Sequence, residues 1–176
     1  TTIMKTIATA IERNHPEVLM LLADMVKRRQ VELLTGGYYE PMLPLIPHPD
    51  RLGQIEKLTT FIRSRFGRRP RGGWLAERIW DPSLVSALTT GGIEYTFLGE
   101  GHFRAAGVES AELCYACLTE DQGRSLSVFP LCDSLAARVG TDPPEEVVAA
   151  IARQADSSGE RVVALVEDGE RLGDSE

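Results

Sequence analysis

The sequence predicts an α/β fold built as part of a parallel β/α barrel, and three observations carry that prediction. Strand-like apolar runs alternate with stretches of helical spacing along the chain. Strands joined through helices pair in parallel. Polar residues cluster just after the strand-like runs, at Tyr38, Tyr39 and Glu40, at Glu77, at Glu100 and His102, and at Asp168 and Glu170. That is the rim on which a parallel barrel assembles its active site.

Each element follows from its spacing. Residues 2–13 and 16–29 read as helices, the second with Val18, Leu21, Leu22, Met25 and Val26 on one face and Asn14 and Pro16 as start signals. Val31 to Thr35 reads as a strand, stopped by Gly36-Gly37. Pro49-Asp50 opens a helix whose apolar face is Leu52, Ile55, Thr59, Ile62 and Phe66. Residues 72–77 form the next strand. Asp81-Pro82 starts a short helix through Leu84, Val85 and Leu88 that ends at Gly91-Gly92.

Glu94 to Leu98 is a third strand, and 104–125 a long loop with a hairpin. Ser125 to Leu131 is a strand. Asp142 to Glu146 opens a helix with acids in its first turn and Val147, Val148 and Ile151 facing the core. Arg161 to Val166 is the last strand. These units are too few to close an eight-unit barrel. The chain begins on Thr1 inside helical spacing and stops directly after a strand-like run, so it reads as an internal fragment, truncated at both ends, with residues 1–176 as the central part of one catalytic domain.

Composition narrows the function. Of 176 residues, 43% are hydrophobic and 26% charged, which fits a soluble globular domain. The net charge of -7 argues against a nucleic-acid or anionic-membrane surface. No apolar run reaches a membrane span and no export signal is visible, so a cytoplasmic setting is expected. Oligomeric state is not readable.

Three cysteines give no disulfide framework. Cys114 and Cys117 form a lone C-x-x-C, which reads as two partly buried thiols because the further ligands of a zinc site are missing. Asp168-Gly169-Glu170 lacks the other ligand positions of a calcium loop. No metal and no cofactor is expected.

Glu77 and Asp168 are the carboxylates best placed for chemistry. Cleaving a glycosidic bond needs one acid to protonate the leaving oxygen and one carboxylate to attack or to activate water. Asp168 has Glu167, Glu170 and Asp174 nearby in sequence, and like charges raise the pKa of a proton donor. Glu77 is followed by Arg78, a cation that favours an ionised nucleophile. Strand alternation would put Glu77 and Arg78 on opposite faces, and would turn Trp74 away from Glu77. Tyr38, Tyr39, Trp74 and Trp80 are candidate sugar-stacking rings and equally good packing residues. From spacing alone, the acids are as well read as solvated loop residues.

Gly36-Gly37-Tyr38-Tyr39-Glu40-Pro41-Met42-Leu43, Trp74-Leu75-Ala76-Glu77-Arg78-Ile79-Trp80-Asp81-Pro82, Gly101-His102-Phe103 and Asp168-Gly169-Glu170-Arg171-Leu172-Gly173 occur in this order. Together they resemble the signature blocks of glycoside hydrolase family 57, especially its 4-α-glucanotransferase and α-amylase branch. The resemblance implies an incomplete (β/α)7 barrel of the TIM-like kind and a retaining double displacement, with carboxyl groups about 5–5.5 Å apart. It implies Glu77 as nucleophile and Asp168 as general acid/base. Glu40, Trp74, His102 and Glu170 would bind substrate, an α-glucan or maltooligosaccharide. Two positions depart from the family pattern: Leu172 stands where an aromatic is usual, and Glu167 where a second aspartate is.

The family's early histidine block has no counterpart in this stretch, so the fragment is not expected to act alone. Two other readings stay open. A metal-dependent carbohydrate deacetylase would need a histidine cluster, which this stretch lacks. A non-catalytic glucan-binding homologue would keep the fold without the chemistry.

Overall fold

The structure, a computed structural model, describes residues 10–167. Most of the first expected helix therefore lies outside the described residues, although residues 10–14 are helical. The architecture is α/β, with four strands hydrogen-bonded in the order β1-β2-β4-β3. These are β1 (Gly72–Gly73), β2 (Tyr95–Gly99), β3 (Cys117–Asp121) and β4 (Arg124–Leu131). β1 and β2 are parallel, as the helical crossover between them requires, with Gly72 opposite Tyr95 and Gly73 opposite Thr96. β3 and β4 are joined only by Gln122 and Gly123, both at positive φ (53° and 76°). A link that short makes the pair antiparallel, so the sheet is mixed.

The chain packs as two compact units, Thr1–Thr96 with Thr119–Leu126, and Phe97–Leu118 with Ser127–Glu176. In the first, α1 (Pro16–Lys27) carries proline in its first turn, where the missing N–H costs nothing. Its apolar stripe is only partly used: Val26 is buried, while Val18 and Leu21 are exposed, contrary to the expected core face.

α2 (His48–Phe66) again carries proline, Pro49, in its first turn and ends at Gly67, whose φ of 73° is left-handed and whose N–H donates to the Arg63 carbonyl at 2.9 Å. Ile55, Leu58, Thr59 and Ile62 recur at three- and four-residue spacing and are buried. Each apolar member contributes about 1.5–3 kcal/mol by leaving water. α3 (Leu84–Thr90) buries Leu84, Val85, Ala87 and Leu88. It closes in a Schellman motif: Gly92, at φ 77°, donates to Thr89 and Ile93 donates to Leu88.

Three expected strands are much shorter than their apolar runs. Of Val31 to Thr35, only Thr35 pairs, as a parallel bridge to Gly73. Of Arg161 to Val166, only Ala164 pairs, in parallel with Leu131. The run at 72–77 pairs only at Gly72 and Gly73 before the chain turns. Buried threonine hydroxyls reinforce this sparse pairing. Thr35 Oγ1 and Thr59 Oγ1 lie 2.9 Å apart, tying the Thr35 bridge to α2, and Thr96 Oγ1 donates to the Gly73 carbonyl at 2.9 Å.

In the second unit, α4 (Glu100–Ala105) follows β2 directly and buries Phe103. α5 (Asp133–Ala136) buries Leu135 and Ala136. α6 (Pro144–Ala152) has its acids in the first turn as expected, but buries Val147 and Ala150 and leaves Val148 exposed, since Val147 and Ala150 share one face three residues apart. Phe97 and Phe129 pack ring against ring, 5.8 Å between centroids. The three thiols are free and half-buried. Cys117 opens a strand and burial, followed by the Glu112 charge, raises its pKa, which is the opposite of an activated redox thiol.

Candidate active site

The chain leaves β1 along a path that strand alternation does not describe. Trp74 N–H donates to the Thr35 carbonyl at 2.7 Å, and Leu75 drops into the core at 2% exposure. Ala76–Arg78 then form a 3-10 turn, inside which Glu77 sits at φ 54°, ψ 13° and Arg78 at φ 53°. The opposite-face argument for Glu77, Arg78 and Trp74 therefore fails, because the strand ends before it reaches them. Consecutive non-glycine residues in the left-handed region cost roughly 1–2 kcal/mol each, and such strain collects at functional sites.

Glu40 has the same signature. Gly37 to Glu40 is a turn, closed by Glu40 N–H donating to the Gly37 carbonyl at 3.0 Å, and Glu40 stands at φ 51°. Gly36 is required just before it: a Cβ there would collide with the Trp74 carbonyl oxygen, so only glycine lets the two segments run this close.

Between these segments lies a cleft of about 130 Å³ lined by Thr35, Gly36, Gly37, Glu40, Trp74 and Ala76, together with Leu34 and Leu58. Trp74 thus faces the same cleft as Glu40. Glu77 stands one residue beyond the cleft-lining Ala76 and is exposed. The Arg78 guanidinium lies over the Trp74 ring, 5.9 Å from its centroid.

The two tyrosines separate in role. Tyr38 is 8% exposed and packs with Leu58, Ile62 and Phe61, so it is core and not a sugar platform. Tyr39 is 54% exposed. Its hydroxyl accepts a 2.7 Å hydrogen bond from Lys57, and its amide donates to Gln54. The Lys57 ammonium also lies 4.4 Å from the Tyr39 ring centroid.

Behind the turn, Asp81 accepts a hydrogen bond from Ser83 N–H at 2.9 Å, and these Ser83 contacts hold its carboxyl below the usual range. Arg51 ties the neighbouring loop to this point by donating to Ser83 Oγ, Pro44 O and Ile46 O. Sequence spacing offers no reason to notice Arg51 or Lys57, whose partners are distant in the chain.

In the second unit, His102 is exposed on α4, and Glu100 on the same helix pairs with Arg104 at 2.8 Å. Asp168 and Glu170 lie outside the described residues. Among the described residues no group of three or more His, Cys, Asp or Glu could hold a metal ion, and no helix is long and apolar enough to cross a membrane.

The sequence profile of glycosyl hydrolase family 57 matches residues 1–176. The chain belongs to glycosyl hydrolase family 57. Within this family it is 39% identical over 163 residues to alpha-amylase 1 of Dictyoglomus thermophilum, covering 93% of this chain and 24% of that protein. It is equally 39% identical over 163 residues to a 4-alpha-glucanotransferase of Thermococcus kodakarensis, covering 93% and 25%. The crystal structure of 4-alpha-glucanotransferase from Thermococcus litoralis superposes with a TM-score of 0.88 at 37% identity, over 94% of this chain and 26% of that one. The chain thus spans about a quarter of the length of the family 57 relatives it matches.

Proposed function

We propose that this chain is the central part of the catalytic barrel of an α-glucan-active family 57 enzyme, with Glu77 as nucleophile and Asp168 as general acid/base. The observation that carries the reading is the strained turn at Glu77: a carboxylate held at left-handed φ, just past the end of β1, beside a cleft lined by Glu40 and Trp74. Relatives named as alpha-amylase and 4-alpha-glucanotransferase support the substrate class. The fold is then one portion of a (β/α)7 barrel, acting in the cytoplasm without a metal or other cofactor.

In this mechanism the Glu77 carboxylate attacks the anomeric carbon while Asp168 gives its proton to the leaving glycosidic oxygen. The glycosyl–Glu77 ester then breaks as Asp168 takes a proton from water, giving hydrolysis, or from an acceptor sugar hydroxyl, giving transfer. Glu40, Trp74, His102 and Glu170 hold the sugar. The place of Trp74 in the cleft lining, with Arg78 over its ring, supports that role.

The test is Glu77→Gln and Asp168→Asn in the full-length protein. Each should reduce maltooligosaccharide turnover by several orders of magnitude with the melting temperature preserved. Near-normal turnover in either variant overturns the assignment of that residue.

A further inference from the structure

The candidate active site lies where the chain leaves the strands. A different feature lies where it enters them. Arg68, Arg69 and Arg71 precede β1, Val31 to Leu33 precede the Thr35 bridge, and Arg29 follows the end of α1. These segments enclose a cleft of about 350 Å³, lined by Arg29, Arg68, Arg69, Arg71 and Glu32 over an apolar floor that includes Val26 and Ile62. A chain with a formal charge of -7 does not gather four guanidiniums in one cleft through a generally basic composition.

Two of the four are already anchored. Arg69 Nη2 donates to the Gly91 carbonyl at 2.8 Å, and its guanidinium lies against Gly92, where a Cβ would stand 2.6 Å from the same nitrogen. Arg71 donates through Nε and Nη2 to Glu94 at 2.9 and 2.6 Å, so its charge is matched. Glu32 also counts against an anion; its charge and hydrogen bond act on Tyr95. Arg29 and Arg68 remain: among the described residues neither has a side-chain ion pair or hydrogen bond. Arg29 further holds a left-handed φ of 60°, a strained backbone at the cleft edge. The lining therefore sets Arg29, Arg68 and the remaining N–H groups of Arg69 against the single carboxylate of Glu32.

We propose that this cleft binds a small phosphate-bearing anion, at a site separate from the Glu77 turn. Planar guanidinium forks match the oxygens of a phosphate and bind them in pairs, and Arg69, already anchored on the Gly91 carbonyl, loses little freedom on binding. The cleft volume sits at the low end of small-molecule sites, which run from about 300 to 1,000 Å³, so it suits a compact organic phosphate better than an extended acidic protein surface.

The experiment is calorimetric titration of the full-length protein with inorganic pyrophosphate, using citrate as a non-phosphate anion. Wild type should bind pyrophosphate saturably at one site. The double variant Arg29→Gln/Arg68→Gln should bind it at least about tenfold more weakly, with unchanged melting temperature and unchanged maltooligosaccharide turnover. If the double variant does not fold, R29Q and R68Q singly should each show part of the loss. Absence of saturable binding, as when other segments of the protein fill the cleft, overturns the proposal. So does equal affinity in wild type and variants, or citrate binding as tightly as pyrophosphate. Because Glu77 and Asp168 are untouched, failure here leaves the catalytic assignment standing, and failure of that assignment leaves this one.

Discussion

Replacing Glu77 by glycine and by alanine separates the strain of its turn from the chemistry of its carboxylate. Both changes remove the carboxylate and expose the same neighbours, so their difference isolates the backbone. At φ 54°, ψ 13°, a residue with a Cβ pays roughly 1–2 kcal/mol that glycine does not. Glycine loses about 0.5–1 kcal/mol more backbone entropy on folding. The balance favours E77G over E77A by up to about 1.5 kcal/mol, with a middle value of about 0.75 kcal/mol. At an ordinary right-handed helical position the order is reversed, with alanine ahead by about 1 kcal/mol. The sign is therefore the diagnostic. Urea denaturation of the full-length variants, compared at their midpoints with matched slopes, reads it directly. Both variants should have lost turnover. If E77A proves the more stable, the left-handed turn is wrong, and the claim that strain marks this carboxylate falls with it.

Two other outcomes follow from the same region. Gly36→Ala drives a Cβ into the Trp74 carbonyl oxygen, a backbone atom that cannot swing aside, and should cost about 1–3 kcal/mol with a parallel fall in turnover; a neutral effect would show that the two segments are not so close. The Tyr95 phenol is pushed up to about 12, first by burial and then by the Glu32 charge and hydrogen bond. A folded-state pKa above the unfolded value near 10 contributes stability below that pH, which is lost as pH rises toward the folded value. Wild type should therefore lose stability relative to Tyr95→Phe across that alkaline window, and parallel pH–stability curves would refute the assignment.

The candidate site was legible in part. The Glu77 block and the Glu40 block stand out because unusual residue combinations recur in order, and the structure brings Glu40 and Trp74 to one cleft. The orientation of Trp74 was not legible. Parity holds only while a strand continues, and pairing stops at Gly73. Tyr38 and Tyr39 are adjacent and chemically identical, yet one is core and the other exposed, because the turn at 37–40 points only Tyr38 at Leu58, Ile62 and Phe61. The runs at 31–35 and 161–166 looked like full strands because apolar composition reports burial, not hydrogen bonding.

What the sequence determines by itself is the alternation of elements and the centre of the α2 and α3 faces, Ile55, Thr59 and Ile62 and Leu84, Val85 and Leu88, since helical burial depends on neighbours three and four positions away; Leu58 and Ala87 join them only in the structure. It also determines the family, through blocks that can be read in one dimension. Only the tertiary structure decides that Glu77 sits in a strained turn and that Arg29 and Arg68 share a cleft. Those facts rest on contacts between segments dozens of residues apart, such as Thr35 with Thr59 and Trp74, and no local period encodes such a contact.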